Sequence, residues 1–410
     1  MTYWPETRIK SANSGSVDAF ARWRVSTPTT LFDAVNQYDN GDLFWSTALS
    51  GAGNVLHLMD ESSCNLTVGG TLGDRVARQT YEYYRYEPGK SQLAIMSGTF
   101  GPATAGVCKR VGYFDNENGL FFEQTGAGMA VVVRSKTSGT PSDALRYPQA
   151  SWNVDKLNGE GPSGLTLLPE NSNIYWVDIE WLGVGRVRFG IWGPDGFPVV
   201  CHEERNANIR PSVYMTTAAL PLRYEIENTA GGNAGALKQI CSTVQSEGGG
   251  LSAKPFYFGS NNIANTSVTT RRAVFSIRPK LTFNGATNRV RIVPQDIGLI
   301  VTTNDALWEL VYDPSFTGSP TWSPADTHSS VEFSTHTVGA GVLTGGIVVA
   351  SGFAPAAQGS FAKFEAQKFD FKYPITLDIN GANPKALSLV CTSLNNTANV
   401  KALMNWAEIR

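Results

Sequence analysis

The sequence predicts a mainly β protein: antiparallel β-sandwich domains, the C-terminal one jelly-roll-like, preceded by an extended N-terminal arm. Three observations lead there. Only 17% of the 410 residues are charged and 11% are aromatic, alongside 41 Gly and 21 Pro. Many short strands joined by tight turns have this composition, because turns demand a positive or fixed φ more than they demand ions. From about residue 75 to 250, apolar runs of five to eight residues alternate with Pro-Gly, Asn-Gly and Gly-x-Gly signals, which is the pattern of hairpins. After a Gly-rich break, SEGGGLSAKP at 246–255, a second series of such runs begins.

In chain order, residues 1–35 read as the arm. SANSGS is followed by DAFARWRVSTPTTLFD, whose Phe20, Trp23, Leu31 and Phe32 follow no sustained helical period. A chain end that exposes large apolar groups is a liability, so these four are expected to anchor the arm in an assembly interface. Residues 36–250 read as a β-sandwich domain, with RQTYEYYRY, SQLAIMSGTFG, KRVGYF, LFFEQTGAG and MAVVVRSKTSG as strand-like runs. Two short stretches, NAGALKQIC at 233–241 and DALWEL around 305–310, are the best helical candidates. Residues 251–410 read as the jelly-roll-like sandwich, with AVFSIRPKLTF, NRVRIVPQDIGLIVTT, GIVVASGF and ALSLVCTSL among its strands.

The stretch DIEWLGVGRVRFGIW at 178–192 carries the most chemistry. Read as strands, Tyr175, Val177, Ile179 and Trp181 share one face, and Trp176, Asp178 and Glu180 the other. A turn through Leu182, Gly183 and Val184 sets Glu180 opposite Arg186 and Asp178 opposite Arg188, with Ile179 against Val187 and Val177 against Phe189. One register therefore satisfies the apolar face and the charged face together. A general acid needs a raised pKa, and a facing guanidinium lowers it. Asp178, Glu180, Arg186 and Arg188 are read as a structural charge ladder, with no catalytic role.

Other chemistry is sparse. The four histidines, His57, His202, His328 and His336, show no metal-binding spacing, and HEERN at 202–206 lacks the second histidine of a zinc-protease helix. Glu332 and His336 share a strand face, which reads as solvated polar surface. Cys201 and His202 are adjacent and would point to opposite faces of a strand, a poor arrangement for a thiol nucleophile. G-x-S-x-G and GxxxxGK[ST] are absent, so no catalytic residue, metal or cofactor is expected. Cys64, Cys108, Cys201, Cys241 and Cys391 are odd in number and contain no C-x-x-C, which predicts buried free thiols. With 33 Lys+Arg against 35 Asp+Glu, the net charge of −2 points to no nucleic-acid partner. No apolar run approaches the roughly 20 residues of a membrane helix, so membrane insertion is not expected either. TYEYYRY at 80–86 reads as aromatic cross-strand pairs. Trp322, in SPTWSP at 319–324, is the candidate for stacking on a glycan.

Seven stretches, in order and at conserved-looking spacing, carry a resemblance: DAFARWRVSTPTTLFD, YEPGKSQLAIMSGTFG, RVGYFDNENGLFFEQ, SWNVDKLNGEGPSGLTL, DIEWLGVGRVRFG, LPLRYEIENT and ICSTVQSEGG. Together they make residues 18–250 similar to a family of uncharacterised virion proteins of tailed bacteriophages, including marine ones. The resemblance implies a surface-exposed particle component, such as a head decoration, head or tail fibre, or collar piece, made in the host cytoplasm and residing in the virion. It implies partners among capsid or tail proteins and copies of the chain itself, expected as a homotrimer, and it brings no catalytic residues. An alternative of a different class is a glycan-binding host-recognition module contacting a host surface glycan. A third, a polysaccharide depolymerase, would need two carboxylates about 5–10 Å apart in a cleft.

Overall fold

Alternating burial sets the strands. In Gln92–Thr99 every second side chain is buried, and in the long strand Gly235–Ser246 the buried set includes Leu237, Gln239, Ser242, Val244 and Ser246. A period of two places such side chains on one face of a pleated sheet, and a bulge between Gln239 and Ser242 carries the buried set from odd to even positions in the second strand. The computed structural model describes residues 18–19, 27–247, 254–336, 341–356, 362–365 and 371–410. The chain divides into two compact units, Met1–Thr80 with Tyr84–Ser252, and Tyr81–Tyr83 with Ala253–Arg410.

The strands of the first unit are β1 (Thr29–Val35), β2 (Trp45–Ser50), β3 (Asn54–Leu58), β4 (Ser63–Val68), β5 (Arg75–Thr80), β6 (Gln92–Thr99), β7 (Val107–Phe114), β8 (Gly119–Thr125), β9 (Gly128–Ser135), β10 (Ser142–Pro148), β11 (Asn173–Ile179), β12 (Val187–Trp192), β13 (Pro198–Glu204), β14 (Leu222–Asn228) and β15 (Gly235–Ser246). They form two antiparallel sheets. One has eight strands in the order β13-β12-β11-β6-β15-β4-β3, with β1 also paired to β15; the other has seven, β10-β9-β8-β7-β14-β5-β2. Their inner faces close on one core, in which Phe122 of the seven-stranded sheet meets Tyr175 at 5.0 Å and Phe189 at 5.7 Å from the eight-stranded sheet. Such aromatic contacts add about 0.5–1.5 kcal/mol each beyond their burial.

The second unit contains β16 (Phe256–Val268), β17 (Arg272–Pro279), β18 (Thr282–Phe283), β19 (Ala286–Thr287), β20 (Arg291–Val301), β21 (Ala306–Tyr312), β22 (Ser315–Phe316), β23 (Ser323–Pro324), β24 (Val331–Ser334), β25 (Leu343–Thr344), β26 (Ile347–Ala354), β27 (Ala362–Glu365), β28 (Leu387–Ser393) and β29 (Ala398–Ile409). A four-stranded sheet, β16-β29-β20-β27, and a six-stranded sheet, β23-β24-β17-β28-β21-β26, bury Val301, Met404 and Trp406 against Phe275, Leu310 and Leu389. Both units are antiparallel sandwiches, in line with the mainly β, jelly-roll-like class read from the sequence.

The two helical candidates are strands. Residues 235–246 are β15 and residues 306–312 are β21. In β15 three of the five buried positions are polar, Gln239, Ser242 and Ser246, and a bulge falls between Gln239 and Ser242, so the apolar pattern alone concealed the strand. The five cysteines are free, and all but the half-buried Cys241 are buried.

Candidate functional site

Phe20 and Trp23 lie outside the described residues. Leu31 and Phe32 stand on β1, half-buried in the core of their own sandwich, where the Phe32 ring meets Trp45 edge-on at 5.9 Å and Tyr84 at 5.5 Å. The segment 29–35 is thus part of the eight-stranded sheet, paired with β15; Leu31, Phe32 and Ala34 pack against the core while Val35 is exposed. The hairpin β11–β12 has Asp178 opposite Arg188, Ile179 opposite Val187 and Val177 opposite Phe189. Arg188 forms an ion pair with Asp178, both fully buried. The Glu180 amide donates to the Arg186 carbonyl at 3.0 Å, which continues the register. The Arg186 side chain reaches elsewhere, to Glu203 at 3.2 Å and to the carbonyls of Asp18 and Ala19 at 3.1 and 2.7 Å.

A second and longer ladder lies on the outer face of the seven-stranded sheet. Glu225 of β14 stands opposite Arg110 of β7, which stands opposite Glu123 of β8. Arg110 bridges the two carboxylates, at 2.6 Å to Glu225 and 2.9 Å to Glu123. Arg75 of β5 approaches Glu225 at 2.9 Å, and Arg223 adds a further ion pair to it. The next place in the row is Ala130 of β9. Its short side chain lets Arg146 of β10 reach Glu123 at 2.6 Å. Burial alone would raise the Glu225 carboxyl, but the guanidiniums of Arg223, Arg110 and Arg75 outweigh it and hold the group far below the usual carboxylate range. Glu123 is lowered in the same way, with Arg110 and Arg146 overcoming burial. Each strand advertises its share of this row by alternation, as in Arg223-Tyr224-Glu225-Ile226-Glu227. The sequence did not reveal the row itself, because its members come from strands far apart in the chain.

Cys201 and His202 both face inward, against the sequence expectation. A bulge between Phe189 and Gly190 of β12 leaves Cys201 as the extra residue, so two neighbours share the buried side. The Cys201 thiol donates to the Phe189 carbonyl at 3.3 Å, and burial pushes it well above its ordinary pKa, which leaves it inert. The His202 ring stacks on Tyr147 at 4.4 Å, and the Tyr147 hydroxyl donates to Glu204 at 2.7 Å. Neither His202 nitrogen has a hydrogen-bond partner among the described residues, and burial lowers its pKa against the opposing pull of Glu204 and Glu203.

Trp322 is half-buried at an edge of the six-stranded sheet of the second unit, directly before β23. Pro324 of β23 pairs with Glu332 of β24, and Glu332 with Arg278 of β17, so three adjacent strands bring indole, carboxylate and guanidinium together. Arg278 bonds Glu332 at 2.6 Å and lies over the indole 4.0 Å from its centroid. Phe316 and His336 meet the same ring edge-on, at 6.3 and 6.2 Å. The His336 Nε2 lies 2.6 Å from the Ser276 hydroxyl, which bonds Ser388 at 2.7 Å. Glu332 and His336, noted in the sequence as sharing a strand face, are thus engaged by Arg278 and Ser276. No group of three or more His, Cys, Asp or Glu among the described residues could hold a metal ion.

No family model and no curated protein matches the chain. Solved structures do. The Crh5 transglycosylase in complex with NAG is 15% identical, over 55% of this chain and 88% of that one, with a TM-score of 0.35. An endo-acting O-glycanase structure from human gut microbiota is 10% identical, over 53% and 98%, with a TM-score of 0.37. Peanut lectin with a 9mer peptide is 10% identical, over 54% and 98%, with a TM-score of 0.30. These are carbohydrate-active and carbohydrate-binding proteins, and none is a virion component. The phage reading is accordingly corrected: the virion family, the structural role in a particle, the capsid and tail partners and the virion location all fall with it. Leu31 and Phe32 pack against the core of their own sandwich.

Proposed function

We propose that this protein binds saccharides without transforming them, with Trp322 as the stacking platform. The observation that carries the reading is the braced indole. Arg278 covers one face, Phe316 and His336 make T-shaped contacts with the ring, and Glu332 is paired with Arg278, so the indole is held rigid beside hydrogen-bonding groups. A fixed aromatic ring takes the apolar face of a sugar, while a guanidinium and a carboxylate order its hydroxyls. The non-catalytic part of the reading is supported by Glu123 and Glu225. They share Arg110, and both carboxyls are driven toward the ionised form, whereas glycoside hydrolysis needs one carboxyl that keeps its proton.

The test is a glycan array followed by calorimetric titration of the best ligand. Trp322→Ala is expected to weaken binding at least about tenfold, the loss of one stacked ring, while a melting curve shows that the variant is still folded. Absence of any retained saccharide, or equal affinity in the variant, refutes the reading. Incubation with the bound polysaccharide is expected to release no new reducing ends.

A further inference from the structure

A depression in the second unit has a composition of its own. Its walls include the rings of Tyr83, Phe371 and Tyr373 and the cations of Arg289, Arg291 and Lys372. Glu82 is the acidic member, so the lining holds three cations against one carboxylate, an excess of two positive charges (3 − 1). Arg289 is fixed in place, bonding the carbonyls of Leu377, Asp378 and Ile379 at 3.4, 2.7 and 3.3 Å and lying over the Tyr83 ring at 4.6 Å. Tyr373 is held by stacking on Tyr312 at 5.2 Å and by an edge contact with Phe371 at 5.9 Å. Arg291 pairs with Glu82 at 3.1 Å while its side chain remains 43% exposed.

We propose that this depression binds a carboxylate-bearing saccharide. The chemistry divides between its two kinds of wall. A guanidinium fork matches a carboxylate, and Arg291, already engaged with Glu82, can exchange that partner for a ligand carboxylate without leaving the surface. Lys372 adds a second positive charge to the lining. The rings supply what a simple anion would not use, flat apolar surface for the C–H face of a pyranose. Pre-fixed Arg289 and Tyr373 lower the entropy lost on binding. The inference rests on the saccharide reading above and deepens it by naming an acidic class of ligand at a site separate from Trp322.

The experiment titrates the full chain with oligogalacturonate, with its fully methyl-esterified counterpart, and with inorganic phosphate. The acid form is expected to bind, and Arg291→Gln with Lys372→Gln is expected to weaken it at least about tenfold, as loss of charge-assisted hydrogen bonds should. Trp322→Ala should leave that binding in place. Equal binding of acid and ester, no effect of the double variant, or displacement by phosphate at equal concentration overturns the inference and leaves the Trp322 reading standing. Failure of both saccharides to bind overturns the inference as well, whereas the Trp322 reading fails only if the glycan array retains no saccharide at all. Both substituted side chains are at the surface, and a melting curve of the double variant confirms that it is folded.

Discussion

Glu225 and Arg146 sit in the same ladder and should behave very differently when removed. Glu225 is buried and pairs with three guanidiniums, among them the fully buried Arg223. Glu225→Ala leaves buried cations uncompensated and is expected to cost about 3–5 kcal/mol in denaturant unfolding. Arg146 is one-third exposed at the rim, so Arg146→Ala should cost no more than about 1 kcal/mol. Equal effects would contradict the ladder. His202 sets a separate pH dependence. Its folded pKa is held below 6.5 by burial, so below about pH 6.5 the unfolded chain takes up a proton that the native chain refuses. Stability is therefore expected to fall as pH drops through that window, and the fall should be smaller in His202→Phe. Glu225 and Glu123, with folded pKa values lowered from 4.5, contribute stability that is lost only below about pH 4.5. Thermal melts between pH 7.5 and 5.5 isolate the histidine. A parallel loss in both proteins would show that His202 is not its source.

At the scale of elements, the hairpin β11–β12 was legible because a single register satisfies Val177, Ile179, Val187 and Phe189 on one face and Asp178 and Arg188 on the other. Gly190 completes it. A Cβ there would stand 2.2 Å from the Trp176 ring and 2.3 Å from the Val199 carbonyl. Gly190→Ala is expected to destabilise by about 1–3 kcal/mol through overpacking, and a neutral result would mean that β11–β13 pack more loosely than described. Other elements were not legible. β15 hides its period behind buried Gln and Ser, and the Arg75–Glu225–Arg110–Glu123–Arg146 row joins strands that only the sheet order makes neighbours. The fate of Leu31 and Phe32 was hidden for the same reason, since their partner β15 lies some two hundred residues away. Trp322 could be singled out as an aromatic in a Pro-bounded turn. Its brace by Arg278, Phe316 and His336 depends on pairings across β17, β22, β23 and β24.

At the scale of the whole molecule, charge and burial divide the labour. In the first sandwich acids and arginines pair across sheet faces, which stabilises the fold and holds Glu123 and Glu225 in their ionised form. In the second, an indole and a basic, ring-lined depression combine apolar surface with hydrogen-bonding groups. The central claim is that the C-terminal unit holds a saccharide on Trp322. The most direct measurement is a crystal structure of the full chain with the oligosaccharide it retains most tightly. The account predicts a sugar ring stacked on the indole face opposite Arg278, with hydroxyls bonded to polar groups at the rim of the ring. A ligand seated elsewhere, with Trp322 bare, would contradict it.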